Sequence, residues 1–273
     1  MSNTHGSAVR DYFQEAAGYW EDIYRHTDVY ALIHQERREL ILRMIDELGL
    51  PAGARVLEVG CGAGHLAVQL AARGNCVTAV DAADSMVAVT RKRAHDAGVS
   101  QKLSVFKGEI SRLAFPAAAF DLVLAVGVLP WVDHVAPAVA EMARVARPGG
   151  FLLVTMDNRW GIHRVLDPRL NPLVVPVKRK LAGVLASADM LAPKARARTL
   201  SVSAFDEYLC GAGLRKRKGV TLGFGPFTFW NRKLVGDQAG TSLHRRLQGR
   251  ADRGSRLLRS LGAQYIVMTE RWY

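Results

Sequence analysis

The stretch Val56-Leu-Glu-Val-Gly-Cys-Gly-Ala-Gly64 limits what this chain can fold into more than any other. An apolar run of strand length enters three glycines at every second position, and a helical pattern opens directly after them. Glycine adopts positive φ and lets a ligand come close to the backbone. The first turn of the following helix presents N–H groups that have no partner inside the helix. A strand, a ligand-binding turn and a helix are therefore expected in succession.

The next hundred residues repeat that alternation. Strands are predicted at 55–59, 76–80, 103–107, 120–126 and 151–156, and helices at 66–73, 85–97 and 135–145. Asp84 or Ser85 is expected to cap the second of these helices, and Arg147-Pro-Gly-Gly150 to end the third. The strand at 120–126 is apolar nearly throughout, as a strand buried on both faces must be. Such alternation argues for an α/β fold, a parallel sheet with helices on both faces. A helix at 204–211 and strands within 214–222 and at 264–269 complete the set.

Two kinds of ligand use a glycine turn of this sort. Dinucleotides take G-x-G-x-x-G and rest their pyrophosphate on the helix dipole. Here the third glycine comes one residue early, and Glu58 stands two positions before the first. A carboxylate there repels a pyrophosphate and suits a cationic ligand such as a sulfonium amino acid.

With these residues in view, the sequence resembles the class I S-adenosylmethionine-dependent methyltransferases, in their small-molecule branch. Their loop, [D/E]-x-G-x-G-x-G, is matched by Glu58, Gly60, Cys61, Gly62 and Gly64. Their acidic residue at the end of the second strand, which takes both ribose hydroxyls, is matched by Asp81, about 20 residues past the loop. Ala82 and Met86 follow it. Gly108-Glu109-Ile110 stands where the family often has Gly-Asp against the adenine. The Glu is a departure, so that contact falls to Glu109, to the Ile110 N–H, or to both. Phe120-Asp-Leu-Val123 and Arg147-Pro-Gly-Gly150 also match, and the end of the fourth strand (Ala125, Val126 and Gly127) lies along the methionine part in the family; Trp131, beyond it, either walls the cofactor or simply packs.

The resemblance covers roughly residues 50–156. It implies a Rossmann-like three-layer α/β/α sandwich whose mostly parallel, seven-stranded sheet has an antiparallel last strand, with N-terminal helices and a helical insertion added. It also implies S-adenosyl-L-methionine as cofactor and S-adenosyl-L-homocysteine as product. The expected layout is an N-terminal helical cap at 1–49, the cofactor-binding core at 50–156, an inserted substrate lid at 157–203, and at 204–273 the rest of the sheet with a basic helical stretch from Thr241 to Leu261. The run from Tyr12 to Tyr24 is similar to the start of magnesium-protoporphyrin methyltransferases and of some quinone methyltransferases, while residues 1–8 are expected to be loose. Tyr12, Tyr19, Trp20 and Tyr24 either cover the ligand, Tyr19 being the cofactor contact this implies, or form plain core.

Methyl transfer from a sulfonium is an in-line displacement, so the protein's main task is to align the acceptor at about 3 to 3.5 Å and to exclude water. No fixed catalytic group is required. His134, after the fourth strand, is either a general base at neutral pH or a helix-start residue bonded to Asp133. His65 is read either as a residue that brushes the cofactor or as a solvated first residue of its helix. Phe224, Phe227, Phe229 and Trp230 form an apolar loop that serves a substrate pocket, a membrane contact or simple packing.

The net charge of +12 lies largely after residue 158, in Lys178-Arg179-Lys180, Lys194 to Arg198, Arg215 to Lys218 and Arg245 to Arg259. Such clusters attract anionic partners or are solvated surface. An RNA or protein acceptor stays open on this ground, as does peripheral contact with a membrane. No nucleic-acid recognition module is visible, so the expected partner is a hydrophobic or anionic small molecule and not nucleic acid. A nicotinamide-dependent oxidoreductase is disfavoured by the loop, and a non-catalytic binding module by its intact acidic residues. Cys61, Cys76 and Cys210 lack metal-ligand spacing, so neither a metal site nor a disulfide is expected. No apolar run approaches the ~18 residues of a membrane span, and no export signal is seen, so a cytoplasmic protein is expected.

Overall fold

The computed structural model describes residues 4–176, 197–230 and 232–272. Three helices come first: α1 (Thr4–Glu15), α2 (Ala17–Asp22) and α3 (Val29–Asp46). The alternating part follows as β1 (Arg55–Val59), α4 (His65–Ala72), β2 (Cys76–Asp81), α5 (Asp84–Asp96), β3 (Leu103–Lys107), β4 (Phe120–Ala125), α6 (Val135–Val145) and β5 (Ala146–Asp157). Then come α7 (Ile162–Leu166), α8 (Val202–Gly211), β6 (Leu214–Leu222), the small hairpin β7 (Thr228–Phe229) and β8 (Arg232–Lys233), α9 (Asp237–Asp252) and β9 (Gln264–Arg271).

The main sheet has the order β3-β2-β1-β4-β5-β9-β6. Strands β1 to β5 pair in parallel, and β9 runs antiparallel between β5 and β6. This is the expected mostly parallel sheet of a Rossmann-like sandwich. Side chains alternate between its faces. Leu57, Val59, Val123, Ala125, Leu152 and Val154 pack with Val139 and Met142 of α6 and Phe205 of α8. Val56, Leu122, Leu124 and Leu153 pack on the other face with Ile41 and Met44 of α3 and Leu70 of α4. Burying each of the larger side chains contributes about 1.5–3 kcal/mol, which fixes the register of the central strands.

The order reverses at β1, which pairs with β2 on one side and β4 on the other. In open α/β sheets ligands bind at the carboxyl ends of the strands beside such a reversal. Helix α3 reaches this end of the sheet. It starts at Asp28, whose carboxylate accepts the Tyr30 and Ala31 N–H groups at 2.9 and 3.1 Å, and it buries Ile33, Arg37, Ile41 and Ile45 along one side.

Four details differ from the sequence reading. Residues 4–8 are helical, because α1 begins at Thr4. Helix α5 is preceded by Ala83, which gives no side-chain cap; Asp84 is the first helical residue, where its charge suits the dipole. Strand β5 starts at Ala146, and the register jumps from Phe120↔Ala146 to Leu122↔Phe151, so Arg147-Pro-Gly-Gly150 is a bulge within β5. The basic stretch near the C-terminus forms a helix from Asp237 to Asp252 and a single 3-10 turn at Leu258–Ser260.

Much of the inserted segment, with Lys178-Arg179-Lys180 and Lys194, lies outside the described residues. The basic run on β6 is answered locally: Arg215 and Arg217 pair with Glu270, Lys216 with Asp206, and Lys218 with Glu47. Phe224 and Phe227 are buried with Ala251 in a small core of their own, which gives that part of the apolar loop its packing role, while Phe229 and Trp230 are exposed.

Candidate functional site

A cavity of about 870 Å³ opens at the carboxyl ends of β1, β2 and β4, under α1, α2 and α3. Its floor is the glycine turn. The N–H groups of Gly60 and Cys61 donate to the Val80 carbonyl at 2.6 and 3.1 Å, which ties the turn to β2. The Gly62 N–H donates to Asp81 Oδ2 at 2.9 Å, and the Thr90 hydroxyl donates to the Gly62 carbonyl at 2.7 Å.

The three glycines serve different ends. All have positive φ. A Cβ on Gly60 would collide with Val128, and one on Gly64 would lie 2.5 Å from Thr90. A Cβ on Gly62 would meet no protein atom within 4 Å, and Gly62 lines the cavity. The bare backbone at Gly62 therefore faces the open cavity.

Glu58 is 4% exposed and lines the same floor. Its Oε2 is buried with no hydrogen-bond partner. Burial, with the nearby Asp81 carboxyl adding to it, pushes the Glu58 acid up to about 8. A buried carboxyl oxygen without a donor favours a cationic partner, which would also draw the group back toward ionisation. Asp81, at the end of β2, is raised by burial, while N–H bonds from Ala83 and Gly62 pull the other way. Its Oδ2 accepts the Gly62 N–H and its Oδ1 the Ala83 N–H, the Ala82 N–H adds a third bond, and the carboxylate's lone pairs still leave room for a further donor such as a hydroxyl.

Of the other expected contacts, Cys61, Ala82, Met86, Gly108, Glu109, Ile110, Val126, Gly127 and Trp131 line the cavity. Gly64, Ala125 and Tyr19 do not. Gly64 caps α4 against Thr90, and Ala125 is fully buried in the sheet core. Tyr19 is exposed and stacks on His26, because α2 turns its neighbour Trp20 to the cavity instead. His134 is the exposed residue that precedes α6, at the cavity wall, and makes no side-chain cap bond.

The N-terminal helices close the cavity from above. Phe13 meets Trp131 edge-on at 5.3 Å, Tyr12 stacks on Trp131 at 5.6 Å, and Arg10 pairs with Glu109 at 3.3 Å. His65 is a tie rather than a solvated residue. Its Nε2 donates to the Glu21 carbonyl at 3.1 Å, and its Nδ1 accepts from Arg93 at 3.1 Å. Burial, reinforced by Arg93, pushes its imidazole down to about 4, which keeps it neutral in that arrangement.

Sequence reasoning missed a second polar group across the cavity: Tyr30, His34 and Arg37 of α3, Asp157 at the end of β5 and Gln264 at the start of β9. A signal existed for two of them. Arg37 sits four residues from both Ile33 and Ile41, on the apolar stripe of its helix, and Asp157 ends a parallel strand on the ligand side of the sheet.

Residues 57–154 match the family described as methyltransferase domain. Over 159 residues the chain is 30% identical to a ubiquinone biosynthesis O-methyltransferase of Thiobacillus denitrificans, covering 58% of this chain and 66% of that one. Over 130 residues it is 36% identical to an S-adenosyl-L-methionine-dependent Diels-Alderase of Talaromyces variabilis, covering 46% of this chain and 44% of that one. The chain thus spans about half to two thirds of the length of these curated relatives. Its fold resembles that of magnesium protoporphyrin IX methyltransferase from Synechocystis PCC 6803 with bound S-adenosylhomocysteine, at a TM-score of 0.66 and 17% identity, over 98% of this chain and 99% of that one.

Proposed function

Starting from a chain that carries a class I S-adenosylmethionine-dependent methyltransferase domain, we propose that the protein transfers a methyl group from S-adenosyl-L-methionine to oxygen, nitrogen or carbon of a small molecule. The observation that carries this reading is the grouping of the buried Glu58 carboxyl, whose Oε2 has no hydrogen-bond partner, with the bare backbone of Gly62 and with Asp81, on one cavity floor.

These residues fit the cofactor. Glu58 supplies the negative side for its cationic methionine part, Gly60 and Gly62 leave it room, and Asp81 accepts hydrogen bonds from the ribose hydroxyls. Met86, Glu109 and Ile110 form the wall for the adenine. When bound, the cofactor supplies a methyl group already activated on sulfur.

The chain's own contribution is positioning and exclusion of water. Phe13, Trp20 and Trp131 make an apolar wall on which a flat or apolar acceptor can lie. His134 takes the acceptor's proton and passes it to solvent at the cavity rim. The three unpaired cysteines suit a reducing compartment such as the cytoplasm, and no helix among the described residues is long and apolar enough to cross a membrane.

One relative named for a cyclisation prompts a second reading, in which the cofactor is bound but its methyl group is not transferred. Incubation with methyl-labelled cofactor and a panel of small phenols, amines and carboxylic acids separates the two. Labelled product with stoichiometric S-adenosylhomocysteine supports transfer, and tight cofactor binding with no demethylated cofactor on any acceptor supports the second reading. Failure to bind either form of the cofactor ends both.

A further inference from the structure

Arg37 is 7% exposed and lines the cavity. Its Nη1 donates to Gln264 Oε1 at 3.2 Å and lies so close to Gly127 that an added Cβ there would be 3.3 Å away. Among the described residues no carboxylate stands within 4.0 Å of its guanidinium. Gln264 separates it from Asp157, accepting from Arg37 and donating to the carboxyl.

Among the described residues the charges around Arg37 do not balance. Asp157 is the acidic group here; burial opposes its ionisation, and Arg164 acts on it more strongly than Arg37 does. His34 faces Arg37 from one turn earlier on α3, its ring bonded to the Tyr30 carbonyl at 2.9 Å, and burial with Arg37 keeps it neutral. Among the described residues two guanidinium groups therefore share one reluctant carboxyl. A buried cation without a counter-ion is expensive, and in folded proteins it is matched by an anion.

We propose that Arg37 selects the acceptor: the acceptor is an apolar or aromatic carboxylic acid whose carboxylate binds the Arg37 guanidinium beside Gly127. The planar fork of arginine matches a carboxylate, and the aromatic wall at Phe13, Trp20 and Trp131 receives the rest of the molecule. Cofactor affinity in an Arg37 variant separates this role from that of holding the cofactor. Arg38, next along α3, acts on His65 beside the glycine turn, whereas Arg37 meets residues at the ends of β4, β5 and β9. This inference rests on the methyltransferase reading and names its substrate class.

The test uses the full chain saturated with S-adenosylhomocysteine. Calorimetry compares benzoate with benzamide, 2-naphthoate with 2-naphthamide, and 3-phenylpropanoate with its amide. At least one acid should bind about tenfold or more tighter than its amide, as a hydrogen-bonded charge pair implies. Arg37→Met should remove that preference and leave the affinity for S-adenosylhomocysteine within about twofold. Arg37→Lys, which keeps the charge but loses the fork, should retain a weaker preference, and it serves if the methionine variant does not fold. Acids and amides binding alike, or none binding, overturns the proposal, as does a preference that survives in Arg37→Met. A loss of S-adenosylhomocysteine affinity in that variant assigns Arg37 to the cofactor instead. A wild-type chain that does not bind S-adenosylhomocysteine brings down the methyltransferase reading itself, a result distinct from all of these.

Discussion

The carboxyl groups of Glu58 and Asp81 stand at the ends of adjacent parallel strands, and the Asp81 charge adds to the burial that keeps Glu58 protonated. The turn between them is shared, since Asp81 accepts the Gly62 N–H. One buried corner thus holds an acid with room for a cation and a second acid already bound to backbone.

Glu58 should make the ligand-free protein lose stability as pH rises. Its folded value of about 8 lies above the ordinary 4.5. Below about 4.5 both folded and unfolded chains hold the proton and no stability is lost. As pH rises through about 8 the folded state must give up a proton it holds tightly, so stability falls across that window. At 1.36 kcal/mol per unit the loss is on the order of 5 kcal/mol. Urea unfolding of wild type and Glu58→Gln at pH 5 and pH 9 measures it. The variant should gain on the wild type at the higher pH and bind S-adenosylmethionine more weakly; parallel curves would remove Glu58 from this role.

The glycine turn makes a prediction in which stability and binding separate. Gly64→Ala puts a methyl group 2.5 Å from Thr90 at positive φ and should cost about 2–4 kcal/mol. Gly62→Ala adds its methyl group to open space, so its cost is the backbone strain of roughly 1–2 kcal/mol. Cofactor affinity should fall sharply in Gly62→Ala. Thermal unfolding paired with calorimetry checks both, and unchanged affinity in Gly62→Ala would mean that the ligand lies elsewhere.

Asp81→Asn keeps the size of the side chain and loses its charge. It should weaken cofactor binding by about tenfold to a few hundredfold, the value of hydrogen bonds to a charged acceptor. Asp81→Ala should do more harm, because the Gly62 and Ala83 N–H groups also lose their acceptor. Equal affinity for S-adenosylhomocysteine in wild type and Asp81→Asn would take Asp81 out of the site.

The floor of this site was legible because it is made of consecutive residues. Strand β1, its three glycines and Asp81 follow one another within 27 positions, and strands buried on both faces announce themselves as apolar runs. The opposite wall was not legible. Arg37 and Gln264 meet across 227 positions, and nothing local in either segment says that α3 crosses the end of β9. Ala125 and Tyr19 lie off the cavity for a related reason. Position along the chain placed them near the ligand, but the pleat turns Ala125 into the core and α2 turns Tyr19 outward. His65 was misread because its partners, Glu21 and Arg93, lie on elements that only the fold brings to it.

His65 fastens the N-terminal helices to the glycine turn, so its loss should loosen the cover more than the core. In His65→Ala, amide exchange in residues 17–25 should quicken by about tenfold, the loss of a hydrogen bond or two. The cofactor should also leave faster. The histidine's folded value of about 4 lies below its ordinary 6.5. The stability it supports is therefore present above 6.5 and lost as pH falls through about 4. Exchange of the same amides in wild type should quicken over that interval while the central strands stay protected; uniform change across the chain would contradict a local tie.

His134 makes the last prediction, and its position sets the terms. It stands exposed at the cavity wall before α6, with no cap bond to hold it, so its removal should leave the fold and the cofactor floor untouched. If it takes the acceptor's proton, His134→Ala should lower kcat on the true acceptor by about a hundredfold, the usual scale of general-base assistance. S-adenosylhomocysteine affinity and unfolding temperature should match the wild type. His134→Gln, which keeps a polar side chain but cannot take a proton, should be as slow as the alanine variant. A glutamine variant at full speed would show that the residue only shapes the rim. The proton then leaves directly to water, as an activated methyl donor permits.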